Sequence, residues 1–393
     1  MARDLRTSAV MNSEHRLRIA FVADTVHSQS GGGILSGEYV VERLRRDHDV
    51  VTVASDGDDV LPGFQLPLRA MREMRFVMAR PDRQILARAF AKVDVVHLQF
   101  PFWLSFAALE EARRLGLPVV AAFHFQPENA LHSIGIHSSW LSDAVYRVLV
   151  KRFYDKVDAV LCPTEFAAQK LREHGLKAPT AVISNGVPPD VAQAMTSDPS
   201  RKDYSSSSGR FRIFAVGRFA AEKRQDVIIE AVRLSRHREE IDLVLSGWGP
   251  REEELKRLAS GLPNGAEIGF LSREKLIEGY RTADLFVHAG EVELEGMSVL
   301  ESMSAGLPAL IADAPESAAS TFALNDDFVF PAGDAATLAR KIDALIENPA
   351  KLAMARNLYR ERARQFDFNA SVAKLVELYR SVIHEAAPQR QTA

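Results

Sequence analysis

The fold is decided by residues 211–219, FRIFAVGRF, because this stretch restarts a pattern that has already run through the first half of the chain. Its counterpart is RLRIAFVAD at residues 16–24, an apolar run that ends in Asp24. Near-continuous apolar runs are typical of strands buried on both faces of a parallel sheet, whereas half-buried strands alternate. Two such series predict two doubly wound α/β halves in one chain.

Further apolar runs extend each series. In the first half, a helix around 35–46 is followed by the predicted strands DVVTVAS (49–55), VDVVHLQF (93–100), LPVVAAFH (117–124), VDAVLCPT (157–164) and PTAVISNG (179–186). In the second half, helices near 224–235, 250–259, 334–347 and 369–386 accompany the predicted strands IDLVLSGWG (241–249), AEIGFLS (266–272), ADLFVHAG (283–290) and LPALIAD (307–313). Ligands of such sheets bind at the carboxyl ends of the strands, so we expect the site in a cleft between the halves.

A serine-rich segment separates the two series. The sequence TSDPSRKDYSSSSGR, residues 196–210, is polar and lacks periodicity, which suits a linker between domains. We therefore expect an N-terminal domain over 16–195 and a C-terminal domain over 211–368. Residues 1–15 lack the apolar core of a secretory signal and are expected to form a disordered lead-in.

The composition limits the classes of protein to which the chain can belong. Its 393 residues are 47% hydrophobic and 26% charged, with a formal net charge of −3, so nucleic acid is not favoured as a partner. A single cysteine, Cys162, allows neither an internal disulfide nor a cysteine-cluster metal site. No apolar run approaches the roughly 20 residues of a membrane span. We expect a soluble, cytoplasmic protein, with peripheral contact to the inner face of the plasma membrane left open.

Two loops at carboxyl ends of strands carry candidate anion ligands. Gly32 and Gly33, from the run GGG, allow close backbone approach to a ligand and precede a helix start, although a plain strand–helix turn has the same pattern. The loop VGRFAAEKR, residues 216–224, places Arg218 at a strand end and Lys223 near a helix start. Two cations beside backbone donors suit a diphosphate, while a solvated surface pair is the alternative.

The stretch AGEVELEGMSVLESMSAGLP, residues 289–308, contains two further candidates. A helix is predicted to begin near Met297, with Glu293 in the loop before it and Glu301 one turn inside it. Eight residues of helix would separate the two glutamates by about 12 Å. The carboxylates of a glycosidase pair lie roughly 5–9.5 Å apart, so an acid/base couple is not favoured. We expect each glutamate to accept hydrogen bonds from hydroxyls at a different place along one ligand.

Most other polar residues of these loops and strands are expected to have no part in the site. Glu291 and Glu295 are expected to be solvated loop charges, and so are the aspartates of DGD at 56–58, although Asp-x-Asp holds a metal in a different fold. Cys162 ends an apolar strand and is expected to be buried and inert. His124 also ends a strand and can face the cleft. Surface or core positions without metal-site spacing are expected for His97, His132 and His137.

Together these motifs resemble the retaining nucleotide-sugar glycosyltransferases of family 4, which have the GT-B fold of two Rossmann-like domains facing a cleft. The glycine run, GRFAAEK and EVELEGMSVLESMSAGLP occur in the family's order, over roughly residues 16–386. The family's E-P-F-G is here E-L-E-G, beginning at Glu293, so the Pro-Phe pair is replaced. The resemblance also implies that the last helix, 369–386, crosses back onto the N-terminal domain.

The resemblance implies a role for each candidate. Arg218 and Lys223 would bind the diphosphate, with Gly32 and Gly33 beside it, and Glu301 would bind the ribose. Glu293 would bind hydroxyls of the donor sugar, together with the backbone of Gly296, Met297 and Ser298. His124, from FHFQPEN, would lie near the reacting centre, with Gln126 on the acceptor side. Asn185, in SNGV, matches a recurrent motif with no role assigned. No metal and no cofactor are implied beyond the nucleotide-sugar donor, and retention would follow from front-face attack.

The acceptor is expected to contact the N-terminal half. The segment at 61–90 carries Arg69, Arg72 and Arg75 among Leu, Met and Phe, a composition that fits either anionic lipid headgroups or an ordinary solvated helix face. HLQFPFWLS, FHFQPEN and IADAPESAASTFAL look like the branch that includes bacterial diacylglycerol α-glucosyltransferases. The resemblance therefore favours hexose transfer from a UDP-sugar to a lipid or lipid-linked acceptor. A soluble acceptor, such as a sugar phosphate or glycan, and a non-catalytic sugar-nucleotide-binding module are the alternatives.

Overall fold

The computed structural model describes residues 16–27, 32–65, 77–196 and 209–390. The strands are β1 (Arg18–Val22), β2 (Asp49–Ala54), β3 (Asp59–Val60), β4 (Gly63–Phe64), β5 (Met78–Ala79), β6 (Val95–Leu98), β7 (Val119–Ala122), β8 (Ala159–Cys162), β9 (Thr180–Val182), β10 (Phe211–Val216), β11 (Ile241–Ser246), β12 (Glu267–Gly269), β13 (Leu285–His288), β14 (Val292–Glu293), β15 (Ala309–Asp313), β16 (Glu316–Ser317) and β17 (Val329–Pro331). The helices are α1 (Gly32–Asp47), α2 (Arg83–Phe90), α3 (Trp103–Arg114), α4 (Pro127–Ser133), α5 (Ser139–Arg152), α6 (Glu165–Glu173), α7 (Pro189–Thr196), α8 (Gln225–Leu234), α9 (Glu252–Ala259), α10 (Arg273–Thr282), α11 (Met297–Ser304), α12 (Ala335–Ile346), α13 (Pro349–Ala363) and α14 (Phe368–Arg390).

Two parallel sheets of the same topology form the framework. The N-terminal sheet has the order β3-β2-β1-β6-β7-β8-β9, and the C-terminal sheet has the order β12-β11-β10-β13-β15-β17. In each sheet the order reverses beside the first strand, so crevices open between β1 and β6 and between β10 and β13. The prediction of two doubly wound α/β halves is confirmed.

The strands form because their side chains are buried on both faces. Every residue of β6, β7 and β8 is buried, which explains why the sequence shows apolar runs instead of alternation. Burial of one large aliphatic side chain stabilises the fold by about 1.5–3 kcal/mol. Polar residues fix helix ends: the Asp82 carboxylate accepts from the Gln84 amide at 2.8 Å before α2, and Asp334 caps α12 at Thr337 in the same way.

The chain crosses twice between the two domains. Val187, before α7, and Val191, within it, pack in the core of the C-terminal sheet, although both fall in the range 16–195 that we expected to belong to the N-terminal domain. Helix α14 returns to the N-terminal sheet, where Phe368 and Tyr379 join the apolar cluster that covers one face of that sheet. The Tyr379 hydroxyl lies 2.9 Å from Nδ1 of the buried His97.

Some predicted features lie outside the described residues. These are the lead-in at 1–15, most of the linker at 196–210, and Arg69, Arg72 and Arg75. Conversely, several elements have no counterpart among the predicted ones, including helix α13, the edge strands β3 and β17, and the short strands β14 and β16.

A two-stranded ribbon of the C-terminal domain contacts the N-terminal domain. Strands β14 and β16 pair in parallel, and we call them the interdomain ribbon. The Gln126 side-chain amide donates to the Glu316 carbonyl at 2.9 Å, and Lys170 forms an ion pair with the Glu316 carboxylate. Thr164 Oγ1 donates to the Leu294 carbonyl at 2.7 Å, and the Leu294 side chain packs against the N-terminal core. The N-terminal domain thus contacts the ribbon at two places, at Glu316 in β16 and at Leu294 directly after β14.

Glu295 adjoins the ribbon and is only 3% exposed. Its carboxyl group accepts hydrogen bonds from Ser184 Oγ at 2.5 Å, the Asn185 amide at 3.2 Å and Asn185 Nδ2 at 2.6 Å. The expectation of a solvated loop charge is therefore wrong, because the neighbouring domain covers this side chain. Burial raises the pKa of Glu295 to about 7, against the three donors, which favour the charged form.

We predict that Glu295 makes the stability of the fold depend on pH near neutrality. A carboxyl group whose folded pKa lies above its unfolded value stabilises fully below the unfolded pKa, and this contribution is lost as pH rises through the folded pKa. The wild type should therefore lose stability relative to Glu295→Gln as pH rises from about 5 to 7, by at most about 1.4 kcal/mol per pH unit. Urea unfolding of both proteins measures this difference, and parallel pH profiles would contradict the prediction.

Candidate active site

The candidate site lies where the order of the C-terminal sheet reverses. Arg218 and Lys223 follow β10, while Glu293 lies in β14, shortly after β13. Because β10 and β13 are parallel neighbours, their carboxyl ends meet at one edge of the sheet. The fold thereby joins Lys223 and Glu293, which are 70 residues apart in sequence.

Glu293 is the negatively charged centre of this edge. Its Oε1 pairs with Lys223 Nζ and lies 3.5 Å from Nε2 of the buried His288. Burial would raise the pKa of Glu293, but the cations Lys223 and Arg218 hold it below its ordinary value. Burial lowers the pKa of His288 to about 4, so this imidazole is neutral at pH 7. Glu293 is therefore an ionised hydrogen-bond acceptor.

The loop after β10 carries three cations, one of which the sequence analysis did not single out. Arg218 Nη2 donates to Glu222 Oε1 at 2.7 Å. Arg224, the additional cation, has a φ of 50°, a left-handed conformation that is uncommon for a residue with a side chain. Its guanidinium pairs with Glu291, whose side chain is 32% exposed, so this expected loop charge is partly solvated but has a cationic partner. The only sequence signal for Arg224 is its place in the run EKR.

Two glycines shape the loop that follows β13. A Cβ atom at Gly290 would lie 2.9 Å from His288 Nε2, so no larger residue fits without a shift of the imidazole. Gly296 has a φ of 93° and precedes α11. Helix α11 begins at Met297, as predicted, and the amides of Met297 and Ser298 belong to the first helical turn, where backbone N–H groups favour negative charge.

Glu301 lies one turn inside α11 and is bound by protein donors. Its carboxylate accepts from the Tyr280 hydroxyl at 2.6 Å and from Arg273 Nη1 at 3.0 Å. Arg273 also donates to Asp190 on α7, at 2.6 and 3.0 Å. Arg273 and Tyr280 escape sequence reasoning because nothing in their spacing links them to Glu301. Each carboxylate oxygen has two lone pairs, so Glu301 retains capacity to accept from a ligand hydroxyl.

The N-terminal domain contributes His124 and Gln126 after β7. His124 is partly buried, packs edge-on against Phe100 at 6.3 Å between ring centroids, and is neutral at pH 7 because burial, with a contribution from His97, lowers its pKa to about 4. Gln126 is buried and its Nε2 donates to the Glu316 carbonyl. Its Oε1 has no hydrogen-bond partner among the residues described. Helix α1 begins at Gly32 and includes Gly33.

The remaining candidate groups have structural contacts. Asp56 accepts from Thr25 Oγ1 at 2.5 Å and from the Val26 amide at 2.7 Å, and Asp58 accepts from the Thr52 amide at 2.8 Å. The two aspartates of DGD thus tie loops of their own domain together. Within the described ranges, no group of three or more His, Cys, Asp or Glu residues is placed to hold a metal ion.

The thiol of Cys162 lies in the N-terminal core. Cys162 is buried in β8, and burial raises the pKa of its thiol to about 12. In the part of the chain that the structure describes, no helix is both long enough and apolar enough to cross a bilayer.

Two family models match the chain, one for each domain. The model described as Glycosyltransferase Family 4 matches residues 31–191, and the model described as Glycosyl transferases group 1 matches residues 196–366. Together they cover the C-terminal sheet, every strand of the N-terminal sheet except β1, and the loops that carry the candidate site.

Curated relatives and solved structures agree with these matches. The chain is 24% identical to an α-monoglucosyldiacylglycerol synthase of Streptococcus pneumoniae over 313 residues, which cover 75% of this chain and 70% of that protein. It is 28% identical to a GDP-mannose-dependent α-mannosyltransferase of Mycolicibacterium smegmatis over 314 residues, which cover 76% and 80%. The fold matches that of Anabaena HepE, solved in complex with UDP-glucose, with a TM-score of 0.70, 18% identity and coverage of 93% and 100%.

The two matched domains, the shared topology of the sheets and the named relatives lead to one conclusion. The chain belongs to the family 4 glycosyltransferases and has the GT-B fold.

Proposed function

We propose that the protein transfers a hexose from a nucleotide-diphosphate sugar, UDP-linked, to a lipid or lipid-linked acceptor, with retention of configuration and without a metal ion. The observation that carries the proposal is the pairing of Lys223 with the ionised Glu293 at the point where the order of the C-terminal sheet reverses. This edge of the sheet offers cations for a diphosphate and a carboxylate for sugar hydroxyls within one group of contacts.

The Lys223–Glu293 ion pair keeps the site ready for a charged donor. Without a ligand, a buried unpaired charge would be unfavourable, and each residue neutralises the other. When a nucleotide sugar binds, the ammonium group of Lys223, already held in place by Glu293, donates to the diphosphate, and Glu293 accepts hydrogen bonds from sugar hydroxyls. Arg218, on the same loop, supplies a second cation for the diphosphate.

The transfer step needs stabilisation of the leaving group above all. The bond between the anomeric carbon and the diphosphate oxygen breaks, and its electron pair remains on the diphosphate. Lys223, Arg218 and the amides of Met297 and Ser298 stabilise this charge from fixed positions, as electrostatic catalysis requires. The acceptor hydroxyl attacks the oxocarbenium-like carbon from the same face, and the departing phosphate takes its proton. His124, neutral at pH 7, would contact the donor sugar from the N-terminal domain.

The choice of UDP rests on a structural neighbour. Anabaena HepE, which shares the fold, was solved in complex with UDP-glucose. Glu301 can accept hydrogen bonds from ribose hydroxyls, which UDP and GDP have in common. The mycobacterial relative is named for GDP-mannose, so titration with UDP and with GDP discriminates the bases. We expect tighter binding of UDP.

The choice of a lipid acceptor rests on a relative and on the exposed surface. The pneumococcal relative is named as an α-monoglucosyldiacylglycerol synthase. The N-terminal domain exposes Trp103 (59%), Ile134 (53%) and Trp140 (72%), apolar side chains that suit contact with a lipid surface. Arg147 and Lys151 are exposed on α5, the helix that begins beside Trp140. Peripheral attachment at the cytoplasmic face of the membrane would bring this surface to its acceptor.

We predict that Lys223→Ala lowers turnover by about 10²–10³-fold, because one preorganised cation is removed from the leaving group. The assay measures nucleotide release from UDP-sugars with and without a lipid extract containing diacylglycerol. Lys256→Ala, which removes an exposed lysine paired only on its own helix, is the matched control. Wild-type turnover in Lys223→Ala would refute the diphosphate assignment. Binding of UDP without turnover on lipid or soluble acceptors would identify a non-catalytic module.

Substitution of Glu293 and of Glu301 is predicted to impair different properties: turnover for Glu293 and nucleotide binding for Glu301. Glu293→Ala should lower kcat by about tenfold or more, since a sugar contact that strengthens in the transition state is lost. Glu301→Ala should mainly weaken UDP binding, measured by calorimetry, and should also lower stability because Arg273 and Tyr280 lose their acceptor. If Glu293→Ala changed nucleotide affinity alone, the two roles would have to be exchanged.

Membrane docking is predicted to depend on charge. Replacement of Arg69, Arg72 and Arg75 by Gln should weaken binding to phosphatidylglycerol vesicles by about a hundredfold, since each cation near an anionic surface contributes about 1 kcal/mol. Trp140→Ser should weaken binding to the same vesicles without changing its salt dependence. Sedimentation with vesicles at low and high salt measures both effects, with phosphatidylcholine vesicles as control. Salt-independent binding by the wild type would contradict docking through these arginines.

A further inference from the structure

We propose that Glu295 is a positioning residue: it fastens the loop that carries Glu293 to the N-terminal domain and so holds the two halves of the site in register. This inference rests on the proposed function, since it assigns Glu295 to the same transfer reaction.

Glu295 contacts its partners across the cleft between the domains. Ser184 and Asn185 follow β9 of the N-terminal sheet, whereas Glu295 precedes α11 of the C-terminal domain. Both carboxyl oxygens are engaged: Oε1 by Ser184 Oγ and the Asn185 amide, Oε2 by Asn185 Nδ2. Three donors on one buried group fix its position more firmly than a single hydrogen bond does. The role left open for Asn185 is thereby explained as part of a contact between domains.

The contact continues to the helix that faces the donor phosphates in our proposal. Ser36 Oγ, on α1, donates to Asn185 Oδ1 at 2.6 Å. A chain of hydrogen bonds therefore runs from Glu295 through Asn185 to α1, whose first residues are Gly32 and Gly33. One partly buried network of hydrogen bonds links the sugar side of the proposed donor site in one domain to the phosphate side contributed by the other.

The position of Glu293 depends on this network through a short stretch of backbone. Only Leu294 lies between Glu293 and Glu295, and consecutive Cα atoms are about 3.8 Å apart. Leu294 is itself held, since its carbonyl accepts from Thr164 and its side chain packs against the N-terminal core. These contacts with the N-terminal domain therefore constrain the position of Glu293. Misplacement of a substrate contact by about 1 Å can lower a rate by about a hundredfold.

Leu294 and Glu295 also differ from the family pattern in sequence. The chain departs from the E-P-F-G pattern at Leu294 and Glu295, and both residues contact the opposite domain. A carboxyl group in a buried position is unfavourable without partners, so Glu295 depends on the donors of the N-terminal domain. The other acidic residues of this loop differ, because Glu291 and Glu293 have cationic partners within their own domain.

The test compares Glu295→Ala with Asp343→Ala. Asp343 is the control because it is a buried carboxylate whose partners lie within the C-terminal domain. It accepts from Ser235 Oγ at 2.5 Å and from the amide and the Nε of Arg236, both at 3.3 Å. We expect Glu295→Ala to lower kcat about tenfold or more with the UDP dissociation constant unchanged. Asp343→Ala should lower stability and leave kcat near the wild-type value. Equal loss of kcat in the two variants would overturn the proposal.

Two further measurements separate positioning from general stability. Glu295→Gln should retain kcat within about threefold, because rotation of the Asn185 amide restores donor–acceptor pairing with a neutral side chain. Hydrogen exchange of the Asn185 amide should be at least about tenfold faster in Glu295→Ala than in the wild type, since this amide donates to Glu295. Unchanged exchange would refute the contact, and faster exchange with wild-type kcat would refute positioning. If the wild type transfers no sugar at all, the proposed function fails, while the exchange measurement still decides the contact.

Discussion

Parallel pairing of the strands in the two main sheets brings the loops that follow those strands to a common edge. Where the strand order reverses, neighbouring loops diverge and leave a crevice. Lys223 and Glu293 leave adjacent strands at such a point, so the fold brings them together without any nearby sequence relation. The same constraint places Asp24 and the start of α1 at the corresponding edge of the N-terminal sheet. Each domain thus presents its polar loops where the other can contact them.

The acidic residues of the loop after β13 and of α11 differ in how their charge is balanced. Glu293 has Lys223, Glu291 has Arg224, and Glu301 has Arg273 with Tyr280. Glu295 has neutral donors only, so burial dominates and its pKa rises to about 7 while that of Glu293 is lowered. Four glutamates within eleven residues therefore differ in their partners and in their pKa, because the groups that surround a carboxylate determine its ionisation.

Much of the fold could be predicted because its signals are local. Apolar runs identified the strands of both sheets except the edge strands β3 and β17, and the start of α11 at Met297 followed from the loop and the apolar run around it. The ribbon of β14 and β16 could not be found this way, since two-residue strands have no periodicity. Glu295 was misread for a related reason. Nothing within the loop shows that Ser184 and Asn185, 110 residues earlier, cover it.

The sequence by itself determined the two parallel sheets, their family and the identity of the residues that our proposal places at the donor. These follow from hydrophobic patterns and short motifs, which are properties of neighbouring residues. The tertiary structure alone decided which charges are paired, which carboxyl group shifts its pKa, and which contacts join the domains. Burial and electrostatic partners are set by residues far apart in the chain, and only folding brings those residues within a few ångströms of one another.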